Sequence, residues 1–446
     1  VVLEAKAENA GKLAATAGSL AEWQMQVAAL AVGNPMAALC ICIALAGPLL
    51  QVLGENSGGF HLFGSSKTGK TTAAALGCSV WGWPDKGGVL RDWRATANAQ
   101  EIAAEHASDG LLALDEVHQA DPREVTGVVY TLFNGAGKDR MTKMSTAQRR
   151  RTWRALALST GEIDIPTVVS RAGETLPVGA QVRLPSIPVG TDPWPELHGR
   201  TDRMELFHEL HAAMRQNHGH AGRAFVAYLA EARVQRPEEI AVMFEKVRDR
   251  LEAQLPPDAD PQVREVVRRF ALVAAAGELA RTAGLLPWMK GEAFRASAAM
   301  LARWIEHRGG VEGNGEGQKA IAAARLFLLK HSSSRLAPFK VTAGGVLEEE
   351  NAGRPVLDRV GWTKIGDDGQ RLFLIHPLAW ETEICRPAQV DAHQAKLALR
   401  NAGMLVHNPG GLTYKVRVPG VPKPVSAVAV QAAILAGLEE TEDCIA

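Results

Sequence analysis

Gly64-Ser65-Ser66-Lys67-Thr68-Gly69-Lys70-Thr71 decides the fold class of this chain. The stretch fits GxxxxGK[ST] without a mismatch, follows the apolar run Gly59-Phe60-His61-Leu62-Phe63, and opens an Ala-rich helix from Thr72 to Leu76. Strand, glycine-rich loop and helix in that order is the context in which the spacing cradles phosphate. Glycines let backbone N–H groups wrap the phosphates, and the helix N-terminus adds its positive end. Lys70 is placed to reach β- and γ-phosphates, and the Thr71 hydroxyl to help hold Mg²⁺. Gly64, Ser65, Ser66, Lys67, Thr68, Gly69, Lys70, Thr71 and Thr72 form the expected nucleotide-binding set, with ATP as the nucleotide.

Moving outward, Gly110-Leu-Leu-Ala-Leu-Asp115-Glu116 reads as a buried strand that ends in two carboxylates, one helix after the loop. Asp115 is expected near the metal, and Glu116 is expected to orient the attacking water as a general base. Many strands end in acidic turns, so the position of this one after the loop carries the assignment. The next strand, ending in Ser159-Thr160-Gly161-Glu162, offers hydroxyls that would lie between the two strands above and touch the γ-phosphate or the water. Thr160 or Ser159 is the sensor candidate, with a simple turn or cap as the bland reading.

Between these last two strands lies Gly137-Lys138-Asp139-Arg140-Met141-Thr142-Lys143, followed by Arg149-Arg150-Arg151. A β-hairpin projecting Lys138, Arg140 and Lys143 would grip the backbone of single-stranded DNA, although most charge runs are solvated loops. Arg183 is expected at the start of the strand Val182–Val189, from which it could reach a neighbouring subunit's γ-phosphate. Arg171 competes for that role, and Arg223 is a candidate second sensor within its own subunit.

Candidate strands at Gly59–Phe63, Val89–Trp93, Gly110–Leu114, Arg154–Ser159 and Val182–Val189, separated by helical patterns, predict a parallel α/β sheet. The expected division is an N-terminal helical segment at 1–57, the ATPase core at 58–200, a helical lid at 201–318, a further module at 319–425 and a tail at 426–446. Helix, hairpin, helix and hairpin in the fourth piece suggest a winged helix, with Asp391–Asn401 facing a DNA groove and Gly410–Val418 as the wing. After Val418 the Ala/Val-rich stretch Ser426–Leu438 reads as a helix.

Composition sets limits. Lys plus Arg equals Asp plus Glu at 49 each, so any DNA contact must come from local patches. Cys40, Cys42, Cys78, Cys385 and Cys444 form no CxxC pair, which argues against a zinc site and suits a reducing cytoplasm. Met36 to Leu53 approaches the length of a bilayer span, yet Pro48 interrupts it, and a buried core helix is expected with no membrane partner. The first residue is Val1, as expected of part of a longer protein.

Taken in order, these motifs resemble the ring-forming AAA+ helicases, and among them the branch with a hairpin before sensor 1 that includes the MCM-like helicases. More closely, GGFHLFGSSKTGKTT, WRATAN, LLALDEVHQADPREV, NGAGKDR and GAQVRLPSIPV resemble the family called domain of unknown function 927, over roughly residues 20–420. That family is found in phages, plasmids and other mobile elements, often beside primase domains. The resemblance implies an α/β chain with an AAA+ P-loop ATPase core, a helical lid and a winged-helix-like end. It implies an ATP- and Mg²⁺-dependent DNA helicase or translocase that forms a homo-oligomeric ring, expected as a hexamer. Single-stranded DNA would run in the pore, and a primase or other replication proteins would be partners. Two alternatives stay open: a non-translocating ATPase switch or loader in replication or transposition, and a nucleotide-ordered replisome scaffold.

Overall fold

The apolar run before the phosphate loop lies inside a five-stranded parallel sheet. The computed structural model describes residues 13–137, 150–174, 176–311, 315–342, 346–350, 356–366, 369–388 and 390–435. The sheet is built from β1 (Gly58–Phe63), β2 (Leu90–Asp92), β3 (Leu111–Asp115), β4 (Leu156–Gly161) and β5 (Ser186–Pro188). Its order is β2-β3-β4-β1-β5, and every pairing is parallel. β3 and β4 are buried along their whole length and β1 along all but its last residue. Sheets covered on both faces take such continuous apolar strands. Because all strands run the same way, Gly64, Asp92, Asp115 and Gly161 gather at one edge.

The chain divides into two units, Val1–Glu312 and Gly313–Ala446. In the first, the helix Pro35–Ala46 is buried at every residue from Met36 to Ala46. It packs against the helices Lys70–Ser79, Pro261–Thr282 and Glu292–Arg308. A helix apolar all round needs such complete cover, and Pro35 at its first position fixes where it starts. The apolar stretch then breaks, and Leu49–Leu53 is a separate short helix. Among the described residues no helix is long and apolar enough to cross a membrane.

After the sheet come the helices Arg203–Gln216, His220–Gln235, Glu239–Glu252, Pro261–Thr282 and Glu292–Arg308. The first is capped by Asp202, whose carboxylate accepts the Glu205 N–H at 2.9 Å. One expectation fails here. Val182–Val189 is not a single strand: Val178–Arg183 is a helix and only Ser186–Pro188 pairs with β1. The Pro185 carbonyl accepts the His61 N–H at 3.0 Å and the paired residues begin at Ser186, directly after the helix and its cap, so Arg183 is the last residue of a helix instead of the first of a strand.

Among its described residues the second unit carries the helix Gly315–His331 and seven strands: β6 (Leu336–Val341), β7 (Leu347–Glu349), β8 (Gly361–Ile365), β9 (Arg371–Ile375), β10 (Leu405–Val406), β11 (Tyr414–Val416) and β12 (Val425–Gln431). β8 and β9 form the expected hairpin, and Ala392–Asn401 the expected helix. The helix expected over Ser426–Leu438 is instead β12 as far as Gln431, antiparallel to β9 on one side and to β10 and β11 on the other, and only Ala432–Leu435 is helical, as a 3-10 turn. Alternating Val and Ala satisfies a period of two as well as a helical pattern. A strand places Val428 and Val430 in one core and Ala427 and Ala429 in another, all fully buried.

Candidate active site

The phosphate loop takes its shape from three backbone positions. Gly64, Lys67 and Gly69 have φ of 158°, 62° and 82°, and the helix Lys70–Ser79 starts immediately after. A side chain at Gly69 would collide with the indole of Trp194 and the ring of Phe207, which pack edge to face at 4.9 Å. This glycine therefore serves packing behind the loop as well as its left-handed turn. The Lys70 ammonium donates to Gly64 O at 2.8 Å, Ser65 O at 2.7 Å and Thr68 Oγ1 at 3.2 Å. Burial pushes its pKa down, against the pull of Glu162 and Asp115.

Asp115 closes β3 and is 1% exposed. Its Oδ1 accepts the Thr160 hydroxyl, and the Thr71 hydroxyl at 3.3 Å. Burial raises the Asp115 pKa, offset by the Thr160 hydrogen bond. Thr160 Oγ1 also accepts the Glu116 N–H at 3.3 Å. Glu116 itself stands at φ 61°, a left-handed conformation costly for a residue with a Cβ. Its carboxylate accepts from Gln119 and, at 3.2 Å, from Lys86. The structure thus brings Lys70, Thr71, Asp115, Glu116 and Thr160 to one edge, with β4 between β1 and β3 as the sequence order required.

Ser159 plays a different part. Its hydroxyl lies 2.8 Å from His61 Nδ1 and accepts Trp93 Nε1 at 2.8 Å, while His61 Nε2 is 2.9 Å from Ile163 O. Burial lowers the His61 pKa to about 4. Ser159 is tied into the sheet interior, which leaves Thr160 as the hydroxyl beside the carboxylates.

The arginines separate. Arg183 donates to Asn134 Oδ1 at 3.3 Å, and Arg171 is exposed just after a short helix. Arg223 donates to Ala14 O at 2.6 Å and lines a cavity of about 600 Å³ with Trp81, Val89 and Leu111. Those neighbours mark the opposite edge of the sheet from the phosphate loop, so Arg223 is no second sensor in this arrangement. Lys138, Arg140 and Lys143 lie outside the described residues. The segments around them run antiparallel: Gly137 N bonds Arg151 O at 3.0 Å, and Trp153 N bonds Gly135 O at 2.9 Å.

Lys86, Asp92 and His211 were not singled out from the sequence. Lys86, in the loop before β2, reaches Asp92 Oδ1 at 2.5 Å, Glu116 Oε2 at 3.2 Å and Asp115 Oδ2 at 3.9 Å. Its pKa is raised, chiefly by the hydrogen bond to Asp92. His211 is the third, with Nε2 at 3.1 Å from Thr72 Oγ1. The contiguous text Asp85-Lys86 and the acidic end of β2 at Asp92 were the available signals, but the partners lie far apart in sequence.

Among the described residues no group of three or more His, Cys, Asp or Glu is arranged to hold a metal by itself. Thr71 and Asp115 offer two hard oxygens on one side of the loop. That suits Mg²⁺, which takes few ligands from protein and the rest from phosphates and water.

These features define an α/β fold with a parallel sheet, at whose carboxyl edge the phosphate-loop motif and the expected site residues come together. Residues 1–152 match the family described as domain of unknown function (DUF927), the family that the motifs resemble. That match ends well short of the span of the resemblance. No curated protein matches the chain. Nine solved chains do. One of them, titled "SCCmec type IV Cch - active helicase", aligns with a TM-score of 0.68 at 20% identity, over 95% of this chain and 73% of its own.

Proposed function

We propose that this chain is an ATP-hydrolysing, helicase-like motor of a mobile genetic element, working on single-stranded DNA. The observation that carries the reading is the convergence of Lys70, Thr71, Asp115, Glu116 and Thr160 on one sheet edge. Lys70 would leave its own loop's carbonyls for the β- and γ-phosphates, and Thr71 and Asp115 would hold Mg²⁺. The metal would neutralise charge developing on the phosphates. Glu116 would orient water, and Thr160 would fix Asp115 and the Glu116 backbone together.

The solved helicase of similar fold supports a motor, and the family resemblance supports a mobile-element setting. The antiparallel base at Gly135–Gly137 and Arg150–Trp153 supports a hairpin bearing Lys138, Arg140 and Lys143. In a hexameric ring these would line the pore, and Arg183 would serve the neighbouring subunit's nucleotide. The helix Ala392–Asn401 with β8–β9 and β10–β12 is read as a winged-helix-like module, and a primase as a fitting partner.

ATPase rate with and without single-stranded DNA tests the reading. Turnover that Glu116→Gln abolishes establishes the ATPase. DNA stimulation lost in Lys138/Arg140/Lys143→Ala establishes the DNA grip. Turnover indifferent to DNA in both chains removes the motor and favours a switch or loader. Nucleotide binding without turnover favours a scaffold.

A further inference from the structure

The loop before β2 joins the catalytic carboxylates to the first long helix after the sheet. On one side is Lys86, between Asp92, Glu116 and Asp115. On the other is its neighbour Asp85, whose Oδ2 accepts Arg215 Nε at 2.7 Å and whose Oδ1 lies 3.9 Å from His211 Nδ1. His211 and Arg215 both belong to the helix Arg203–Gln216. His211, whose pKa burial lowers, also meets the Thr72 hydroxyl, one residue beyond Thr71. Two adjacent residues of opposite charge are thus held from opposite sides, one by the carboxylates and one by a helix that touches the phosphate loop.

We propose that Lys86 is a latch on Glu116: a positioning residue that holds carboxylate Oε2 in an ion pair, turned from the water it would activate, while the helix Arg203–Gln216 is docked on Asp85. The proposal rests on the reading of Glu116 as the general base. A base must lie within hydrogen-bond reach of the water it activates. Here one Glu116 oxygen is taken up by Lys86 and Gln119 together. The Lys86 side chain is 47% exposed, and its stem is flexible, so release needs only a rotation towards solvent. The negative charge left behind at Asp92, Asp115 and Glu116 would be offset by Mg²⁺ arriving with nucleotide. Nucleotide beside Thr72 would disturb His211, and through it the hold on Asp85. Binding thereby frees the base only when the loop is filled.

The test uses the whole chain with Lys86→Met, Lys86→Arg, Asp92→Asn and Arg215→Ala. Basal ATP turnover without DNA is measured for each, and the rate at which an amine-acylating reagent labels Lys86 is read by mass spectrometry. Lys86→Met is expected to raise basal kcat several-fold with little change in KM, and Lys86→Arg to restore the restrained rate. Acylation of Lys86 is expected to be slow in the nucleotide-free wild type. It should rise by about fivefold in Asp92→Asn and in Arg215→Ala, since each removes one side of the hold. A kcat in Lys86→Met that is unchanged or lower overturns the latch, as does labelling indifferent to Asp92 and Arg215. Absence of turnover in every variant, wild type included, overturns the ATPase reading and the latch with it.

Discussion

Thr160 donates its hydroxyl hydrogen to Asp115 and accepts the backbone N–H of Glu116, so one side chain on β4 fixes both acidic residues at the end of β3. The register explains why: Leu114 pairs with Ser159, which sets the next residue of each strand side by side at the sheet edge. Ser159 faces the interior towards Trp93 and His61, and Thr160 faces the phosphate loop's side of the structure. Strand alternation thus sends two adjacent hydroxyls to different places, one into the sheet interior and one to the carboxylates.

Thr160→Val should uncouple these effects. The lost hydrogen bond to a carboxylate costs about 1–3 kcal/mol of stability, read as a lower urea midpoint. Turnover should fall by about two orders of magnitude, the scale seen when a preorganised hydrogen-bond donor is removed from an active site. Thr160→Ser should recover most of both. If the valine variant turns over normally, Thr160 is only a strand residue.

His61 gives the fold a pH limit. Its pKa is near 4 when folded and near 6.5 when unfolded. The unfolded chain therefore takes up this proton first as pH falls. The neutral ring's contribution is whole above pH 6.5 and is lost progressively between 6.5 and 4. By pH 4 the loss from this group is roughly 3 kcal/mol. Urea unfolding from pH 7 to 4.5 should show a steeper decline for the wild type than for His61→Asn. Parallel curves would show that other groups control the acid limb.

Residues with local signatures were the ones legible in the sequence. The phosphate loop is contiguous, the acidic end of β3 follows a run of buried leucines, and the helix Pro35–Ala46 declares itself by lacking any polar face. What escaped depends on contacts between distant segments. Lys86 meets Glu116 thirty residues on, and Arg215 meets Asp85 across 130; neither spacing is marked by a motif. Over Val182–Val189 the apolar run continues across a helix end and a strand start, so hydrophobicity alone does not mark the boundary between Arg183 and Ser186. At Ser426–Leu438 the Ala/Val alternation was ambiguous, and only the vacancy beside β9 for a partner strand decides in favour of β12.

That correction has its own consequence. A dispensable helical tail would leave the second unit intact when removed. β12 is instead paired on both edges, with Val428 and Val430 in one core and Ala427 and Ala429 in another. A chain ending at Pro424 should lose the second unit's cooperative unfolding while retaining that of the first. Val430→Asp should do the same by burying an unpaired charge. Two transitions surviving in the truncated chain would return the segment to the status of a tail.

Arg183 offers the sharpest test of assembly. Its only described side-chain bond is an exposed one to Asn134 at 3.3 Å, so Arg183→Ala should change the stability of a single chain by less than about 0.5 kcal/mol. Loss of this proposed finger of a ring should nevertheless lower turnover by roughly 10³-fold, the scale known for arginine fingers. Because the residue would act across a subunit boundary, its defect should be complemented. A subunit carrying Arg183→Ala keeps Lys70, Asp115 and Glu116, and one carrying Glu116→Gln keeps Arg183. Each alone should be inactive, and their mixture should regain turnover wherever an intact Glu116 meets an intact Arg183. No recovery on mixing, with both variants still assembling, would assign the arginine to its own subunit or to no catalytic task. The same cross with Arg171→Ala then decides whether the finger is the exposed residue following the helix Ile165–Ser170.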